Sequence, residues 1–254
     1  MNIKILVAVH KQYWMPDDPV YLPLHVGAEG KPSLGYTPDN TGENISAKNP
    51  NFCELTGIYW VWKNLSADYI GLCHYRRYFA YGQHGSSLED KHKAILSGAD
   101  YEQLLAECDC LLPTKRNYYI ETVRSQYEHA HNKSDLDMVE LIIKEKYPDY
   151  SNAFTTVMNR RGLHILNMFV MKSELFDAYC QFLFDILFEL ERRIDIGKYD
   201  QYEARVFGFL SERLLNVWIE KNRITYKEVP VVFLEKINWL DKGSKFLKRK
   251  FVGK

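Results

Sequence analysis

Two short, mostly apolar runs constrain the fold of this chain most strongly. The first covers residues 3–9, and the second covers residues 69–75 and leads directly into Arg76 and Arg77. Runs of this length indicate strands that are buried on both faces, as in a parallel sheet. The carboxyl ends of such strands face the ligand crevice of open α/β sheets. We therefore predict an α/β protein with a cationic site at this edge of the sheet.

Length and charge limit the classes of protein to consider. The chain has 254 residues, which suits one sizeable domain, and its 33 basic residues balance its 33 acidic ones. A balanced chain has no bulk attraction for nucleic acid, so we expect no nucleic-acid partner. The five cysteines form no CxxC pair, which fits free thiols in a reducing compartment. With neither a signal peptide nor an apolar run of membrane-spanning length, the sequence predicts a cytoplasmic protein.

Hydrophobic periodicity gives a coarse map of the chain. Residues 14–51 are rich in Pro and Gly and are predicted to form a long, ordered, functional loop. A helical C-terminal part follows from amphipathic patterns late in the chain. Helices are predicted over residues 54–65, capped by Asn51, and over residues 101–106, 122–146, 174–193 and 202–221, with further strands over residues 108–112 and 164–171.

The densest chemical cluster is His74, Arg76 and Arg77, at the end of the second predicted strand. Arginine binds phosphate in a bidentate manner, and an imidazole adds a titratable hydrogen-bonding group. Lys115 and Arg116 follow another predicted strand, which suggests one anionic ligand between the two exits. The alternatives are structural salt bridges around a core histidine and a solvated basic loop.

A general base is expected on a C-terminal helix. Glu212 lies in a strongly apolar helical segment, where burial can raise its pKa and suit it to proton abstraction. An ion pair with Arg205 or Arg213 is the structural alternative. No Asp-x-Asp follows the strand over residues 69–75, so we expect cationic side chains to neutralise a leaving diphosphate in place of a metal ion.

Six blocks of the sequence resemble one known family. With these blocks, the chain is similar to the bacterial glycosyltransferases first catalogued as domain of unknown function 4422, from His10 to about Pro230. The blocks cover residues 44–49, 53–64, 71–79, 112–119, 167–172 and 204–215.

The resemblance implies a role in capsule, exopolysaccharide or O-antigen biosynthesis. It implies a single GT-A-like α/β domain, here residues 1–235, that transfers a hexose from a UDP-sugar, with galactofuranose or galactose favoured. The acceptor would be a lipid-linked oligosaccharide. No cofactor is required by the resemblance, and the need for a divalent metal stays open because the Asp-x-Asp is missing. Residues 236–254 form a basic and aromatic tail, which either contacts anionic lipid at the inner face of the plasma membrane or is simply solvated.

Individual roles can be carried onto this sequence by the same resemblance. Nucleotide or sugar contacts fall to the first strand exit and the loop after it. The leaving diphosphate falls to His74, Arg76 and Arg77, and the base of an inverting reaction to Glu212. The donor-binding residues are His10, Lys11, Asp39, Asn44, Ser46, Arg76, Arg77, Lys115 and Arg116, and the catalytic residues are His74 and Glu212. For the polar loop residues among them, turn formation is the alternative.

Two other enzyme classes and one non-catalytic function are the alternatives to a glycosyltransferase. A nucleotide-sugar mutase is disfavoured because no GxGxxG follows the first strand, and a phosphotransferase because the chain has no Walker-type loop. A non-catalytic carbohydrate-binding or scaffold protein of polysaccharide assembly is the alternative outside enzymes. The sequence leaves open the donor sugar, the acceptor, the linkage, the stereochemical course and the oligomeric state.

Overall fold

A mixed β-sheet with helices on both faces organises the computed structural model, which describes residues 1–235. Its strands are β1 (Ile3–Val9), β2 (Tyr21–His25), β3 (Thr37–Pro38), β4 (Tyr69–His74), β5 (Arg77–Phe79), β6 (Cys110–Pro113), β7 (Arg116–Asn117), β8 (Gly162–Leu163), β9 (Phe169–Lys172), β10 (Tyr226–Val229) and β11 (Val231–Phe233). Its α-helices are α1 (Asn49–Phe52), α2 (Leu55–Asn64), α3 (Leu88–Lys93), α4 (Gly98–Leu105), α5 (Val123–Ala130), α6 (Lys133–Lys146), α7 (Ser151–Asn159), α8 (Ser173–Arg193) and α9 (Val206–Asn222).

Strand β1 and its two neighbours run parallel in the sheet. The strand order is β10-β6-β9-β4-β1-β2-β3, and β1 is parallel to both β2 and β4. Strand β9 runs antiparallel between β4 and β6. Strand β5 turns back from β4 and pairs with β11, while β7 and β8 form a separate two-stranded ribbon. The carboxyl ends of β1 and β4 therefore meet at one edge of the sheet.

Side chains of β1 alternate between two hydrophobic cores. Leu6 and Ala8 belong to the larger core, which the helices α2 and α5 to α9 share. Ile5 and Val7 belong to the smaller core on the other face, together with α4 and β11. Burial on both faces is what the apolar run of residues 3–9 predicts, and the α/β fold class is confirmed.

The predicted long loop at residues 14–51 is wrong in part. Residues 21–25 form β2, which pairs with β1 in parallel register, and Thr37–Pro38 forms β3. Pro23 lacks an N–H donor and is therefore typical of edge positions and loops. Strand β3 pairs only with Leu24 and His25, so most of β2 behaves as an edge strand, where proline is tolerated.

Three further boundaries differ from the prediction. The helix predicted over residues 122–146 is divided at His131, whose backbone is extended, into α5 and α6. Asn51 lies inside α1, and Glu54 stands at the cap of α2 in its place. Of the predicted strand at residues 164–171, only residues 169–171 are in a strand, β9, and helix α7 had no prediction. The predicted tail at residues 236–254 lies outside the described residues.

None of the helices in residues 1–235 is both long enough and apolar enough to cross a lipid bilayer.

Candidate active site

A cleft of about 610 Å³ opens where the carboxyl ends of β1 and β4 meet. One wall comes from these strand ends, and the opposite wall comes from the beginnings of α1, α2 and α9. Its lining residues are Ala8, His10, Val26, Lys31, Asn49, Pro50, Cys53, Glu54, His74, Tyr75, Arg76, Arg77, Leu166, Arg205, Gly208, Phe209 and Glu212. The structure thus brings together five of the predicted site residues, namely His10, His74, Arg76, Arg77 and Glu212.

Basic side chains outnumber carboxylates along this lining. Lys31, Arg77 and Arg205 have no carboxylate within 4.0 Å in the part of the chain that the structure describes. The Arg205 guanidinium instead donates from Nε to Cys53 Sγ over 3.3 Å. Cations that lack a protein counter-ion in a cleft can accept the charge of an anionic ligand. The lining therefore favours a phosphate-bearing ligand.

The two adjacent arginines at the end of β4 have different surroundings. Arg76 donates from Nη1 to Glu235 Oε2 over 2.7 Å and lies 4.8 Å above the Tyr75 ring. Arg77 begins β5 and faces the Phe233 ring at 5.8 Å. Burial lowers the pKa of Arg77, and the nearby charges of Glu54 and Glu212 oppose this shift. Of these two arginines, Arg76 therefore has an ion-pair partner and Arg77 has none among residues 1–235.

The N-terminus of helix α9 adds to the positive potential of the cleft. This helix begins at Val206, just after Arg205, whereas at the start of α2 the Thr56 and Gly57 N–H groups already donate to the Cys53 and Glu54 carbonyls. The first turns of a helix leave backbone N–H groups without intrahelical acceptors, and the helix dipole places partial positive charge there. Both effects favour anions.

Two consecutive residues in left-handed conformation connect the titratable groups of the cleft. Leu166 has φ = +79° and Asn167 has φ = +54°. The Leu166 N–H donates to Glu212 Oε1 over 2.7 Å, and its carbonyl lies 2.7 Å from His74 Nε2. Asn167 Nδ2 donates to Glu54 Oε1 over 2.7 Å. These two residues therefore fix two carboxylates and one imidazole relative to each other.

The cleft shifts the pKa of both predicted catalytic groups. Burial raises the pKa of the Glu212 carboxyl, although the adjacent Arg213 and the Leu166 N–H oppose this shift. Burial lowers the pKa of His74, against the opposing charge of Glu54. A neutral His74 that donates from Nε2 to the Leu166 carbonyl keeps Nδ1 unprotonated. Glu212 Oε2 also accepts from Arg213 Nη1 over 3.1 Å, so the ion pair given as the alternative is present for Arg213. Glu212 is nevertheless 21% exposed and lines the cleft.

The predicted polar loop residues serve to fold the loop. Asp39 is fully buried and accepts hydrogen bonds from the N–H groups of Gly27 and Ala28 and from the hydroxyls of Ser46 and Thr56. It thereby fastens the chain around β3 to helix α2. Asp39 and Ser46 lie outside the cleft lining.

Asn44 also stabilises a turn. Its Oδ1 accepts from the Ser46 N–H over 3.1 Å, and its Nδ2 donates to the Gly42 carbonyl over 3.0 Å. Asn44 does not line the cleft either. The turn-forming alternative thus describes the contacts of this segment in the structure.

The remaining predicted cations, Lys11, Lys115 and Arg116, do not line the cleft. Lys11 Nζ lies 5.5 Å from the Tyr75 ring centroid and 4.0 Å from Glu235 Oε1. Lys115 donates from Nζ to the Tyr226 hydroxyl over 2.9 Å and approaches Glu228 at 3.4 Å. Arg116 lines a second, smaller cavity that adjoins the cleft. Of the basic residues predicted at the two strand exits, Arg76 and Arg77 line the cleft and Lys115 and Arg116 do not.

Sequence reasoning missed several residues of the cleft. Arg205 was considered only as an ion-pair partner of Glu212. It lies seven residues before Glu212, a spacing that places both side chains on one face of a helix, so the sequence did contain a signal for Arg205. Glu54 is the first residue of a predicted helix and offered a weaker signal. Lys31 lies in a segment read as loop. The left-handed backbone of Leu166 gives no sequence signal because leucine rarely adopts it.

No group of three His, Cys, Asp or Glu side chains within residues 1–235 is arranged to hold a metal ion. The carboxylates of the cleft lining are Glu54 and Glu212. Each of them already accepts a hydrogen bond from the segment of Leu166 and Asn167.

Comparison with known proteins identifies the fold and the family. No curated protein matches the chain. Among solved structures, the chain is similar to the apo structure of the WbbM bifunctional glycosyltransferase, with 31% sequence identity and a TM-score of 0.85. The match covers 93% of this chain and 46% of that one, so this chain spans less than half the length of its neighbour. The predicted GT-A-like fold is confirmed by this similarity.

The family model described as a domain of unknown function, DUF4422, matches residues 4–223. This range includes all six blocks on which the sequence resemblance rests, together with β1, β4 and the helix that carries Glu212. The chain therefore belongs to the DUF4422 family.

Proposed function

We propose that this protein is a glycosyltransferase that moves a hexose from a UDP-sugar to the saccharide of a lipid-linked acceptor. The observation that carries the proposal is the cleft at the ends of β1 and β4, where Arg77 and Arg205 have no carboxylate within 4.0 Å in the described residues. The fold that the chain shares with a glycosyltransferase at 31% identity supports the same reaction class.

In this proposal the cationic wall binds the donor diphosphate. The guanidinium groups of Arg77 and Arg205, the Lys31 ammonium and the N-terminus of α9 neutralise charge that increases on the diphosphate as the bond to the sugar breaks. Arg76 supports this wall but shares its charge with Glu235. Such stabilisation accelerates transfer because the leaving group carries more negative charge in the transition state than in the ground state.

Glu212 acts as the general base in this proposal. Its carboxylate takes the proton from an acceptor hydroxyl, the hydroxyl oxygen bonds to the anomeric carbon of the donor, and the bond between that carbon and the diphosphate breaks. A single displacement of this kind inverts the anomeric centre. The raised pKa of Glu212 makes it a better proton acceptor near neutral pH. A proton-accepting group also has to be held in place, and the Leu166 N–H does this.

We assign His74 a positioning role. Its Nε2 lies 2.7 Å from the Leu166 carbonyl, so the ring fixes the peptide unit next to the one that holds Glu212. The lowered pKa keeps His74 neutral at pH 7, and it adds no charge to the diphosphate site.

The finer features of the proposal rest on the family resemblance. Galactofuranose and galactose are the favoured hexoses, and a surface polysaccharide built on a lipid carrier is the favoured product. The reaction would take place at the cytoplasmic face of the plasma membrane, with a peripheral contact to anionic lipid.

Calorimetry and a turnover assay test the proposal together. The protein is titrated with UDP, GDP, CMP and dTDP, each with EDTA and with Mn²⁺, and UDP release from UDP-galactose and UDP-galactofuranose is then followed. Selective UDP binding and donor turnover are expected. If no nucleotide binds, the transferase proposal is wrong and a carbohydrate-binding scaffold becomes the better account.

A further inference from the structure

A second cavity of about 350 Å³ adjoins the cleft. Arg77 and Leu166 line both spaces, so these two residues form the shared boundary. A volume near 350 Å³ lies at the small end of the range for ligand pockets and suits about one or two sugar rings. None of the roles assigned above uses this cavity.

One wall of the second cavity comes from the antiparallel strands β5 and β11. Arg77 pairs with Phe233 across the strands, and the Arg77 guanidinium lies 5.8 Å from the Phe233 ring centroid. Val231 and Phe233 lie two residues apart and share one strand face, whereas Val232 is buried in the smaller core. The strand therefore presents an aliphatic and an aromatic side chain to the cavity.

The other wall combines apolar surface with a second guanidinium. Pro113 and Ile165 contribute apolar surface, and Arg116 is exposed. Within residues 1–235, Arg116 has no carboxylate within 4.0 Å, and its guanidinium lies 5.9 Å from the Tyr118 ring. An aromatic face beside free N–H donors is suited to a sugar, because the C–H face of the ring packs on the aromatic and the hydroxyls accept hydrogen bonds.

We infer that this second cavity binds the terminal saccharide of the acceptor. The inference rests on the proposed function. Leu166 lines both spaces and holds Glu212 by its N–H, so the base stands beside the boundary between the donor cleft and the second cavity. A sugar on the Phe233 side can then present a hydroxyl toward Glu212 while the donor occupies the cationic cleft. An inverting displacement requires the hydroxyl to approach the anomeric carbon from the side opposite the leaving diphosphate, with the base close enough to take its proton.

Acceptor kinetics test the inference in the full-length protein. Transfer from the UDP-hexose that the protein turns over is measured with a panel of octyl hexosides as acceptors, and donor hydrolysis without acceptor is measured in parallel. Phe233→Ala removes the aromatic face, and Val231→Trp fills the cavity. Both are expected to raise the acceptor KM by about tenfold or more. In Val231→Trp, which leaves the Phe233 ring beside Arg77 in place, UDP affinity and donor hydrolysis should stay within about twofold of the wild type.

Matched variants separate this effect from a loss of folding. Phe233→Leu keeps most of the side-chain volume and is expected to raise the acceptor KM less than Phe233→Ala. Arg161→Ala removes an exposed arginine that lines neither cavity and is expected to change nothing.

Two results would overturn the inference. One is an unchanged acceptor KM in a folded Val231→Trp variant. The other is UDP binding by the wild type without saturable binding of any octyl hexoside in the panel. A wild type that binds no nucleotide would instead contradict the proposed function itself, so the two failures can be told apart.

Discussion

Leu166 donates its backbone N–H to Glu212 Oε1 over 2.7 Å, although the Leu166 backbone has φ = +79°. A left-handed conformation costs an L-residue about 1–2 kcal/mol, so surrounding contacts must maintain it. Strained backbone of this kind clusters at functional sites because it positions groups that regular structure cannot. The strain at Leu166 is thus directly connected to the carboxylate that we propose as the base.

Substitution of Asn167 tests whether the left-handed segment is strained. Asn167 has φ = +54°, so Asn167→Ala is expected to be about 1 kcal/mol less stable than Asn167→Gly, because glycine adopts this conformation without the Cβ penalty. Both variants lose the hydrogen bonds to Glu54 and Ser211. The difference in their free energies of unfolding therefore measures the cost of the left-handed backbone at residue 167. Urea unfolding of the two variants measures the difference.

Thr155 in helix α7 provides the control for this comparison. It is exposed and helical, so Thr155→Ala should be more stable than Thr155→Gly, by up to about 1 kcal/mol. The order of alanine and glycine is therefore opposite at the two positions. The same order at both would contradict the assignment of strain to Asn167.

Removal of the Glu212 carboxylate tests its role as base. Glu212→Gln is expected to lower the rate of transfer by about 10²- to 10⁴-fold, the usual contribution of a general base. UDP affinity should change little because the diphosphate contacts are elsewhere. Steady-state kinetics and calorimetry measure the two quantities. Glu220→Gln, which changes a carboxylate of the same helix that is paired with Arg160, is the matched control. A Glu212→Gln enzyme that keeps most of its activity would rule out the assignment.

The pH dependence of transfer should reflect the raised pKa of Glu212. The carboxylate form is the active one, so kcat/KM is expected to rise with pH through a pKa above the ordinary Glu value of about 4.3. The same shift affects stability: a raised folded pKa disfavours the charged form, so the wild type loses stability relative to Glu212→Gln as pH rises above about 4.3. Thermal unfolding of both proteins from pH 3 to pH 8, a range that begins below the ordinary Glu value, measures this difference. A stability difference between the two proteins that stays constant across this pH range would contradict the raised pKa of Glu212.

A glycine in β4 tests the packing beneath the cleft. A Cβ at Gly71 would lie 2.7 Å from Ile5 Cδ1, 2.8 Å from Val170 Cγ2 and 2.9 Å from the Phe169 carbonyl oxygen. Gly71→Ala is therefore expected to lower the free energy of unfolding by about 1–3 kcal/mol. At Gly30 no atom lies within 4 Å of such a Cβ, but its φ is +69°, so Gly30→Ala reports the conformational cost without the clash. If Gly71→Ala and Gly30→Ala lose the same free energy of unfolding, the neighbours of Gly71 accommodate the added Cβ without cost.

Local patterns predicted the strands and helices that carry most of the site. The apolar run of β1 and the polar residues after β4 are visible in the sequence because burial on both faces excludes polar residues up to the strand end. Glu212 was predicted because it interrupts the apolar stripe of α9. These features depend on neighbouring residues only.

Contacts between distant segments could not be predicted in the same way. Asp39 was read as a ligand contact, but Gly27 and Thr56 satisfy its carboxylate. Lys115 was read as a donor contact, but it pairs with Glu228, 113 residues away. A polar side chain looks the same in a sequence whether its partner is a ligand or a distant part of the chain.

The UDP affinity of Arg77→Ala tests whether the Arg77 guanidinium binds the donor diphosphate. The variant removes a guanidinium that lines the cleft and has no carboxylate within 4.0 Å in the described residues, and Arg161→Ala removes an exposed arginine outside the cleft as its control. We expect Arg77→Ala to weaken UDP binding by about 1.5–3 kcal/mol, or about 10- to 100-fold in Kd. The Kd of Arg161→Ala for UDP should equal that of the wild type. A folded Arg77→Ala protein that binds UDP as tightly as the wild type would contradict this role of Arg77.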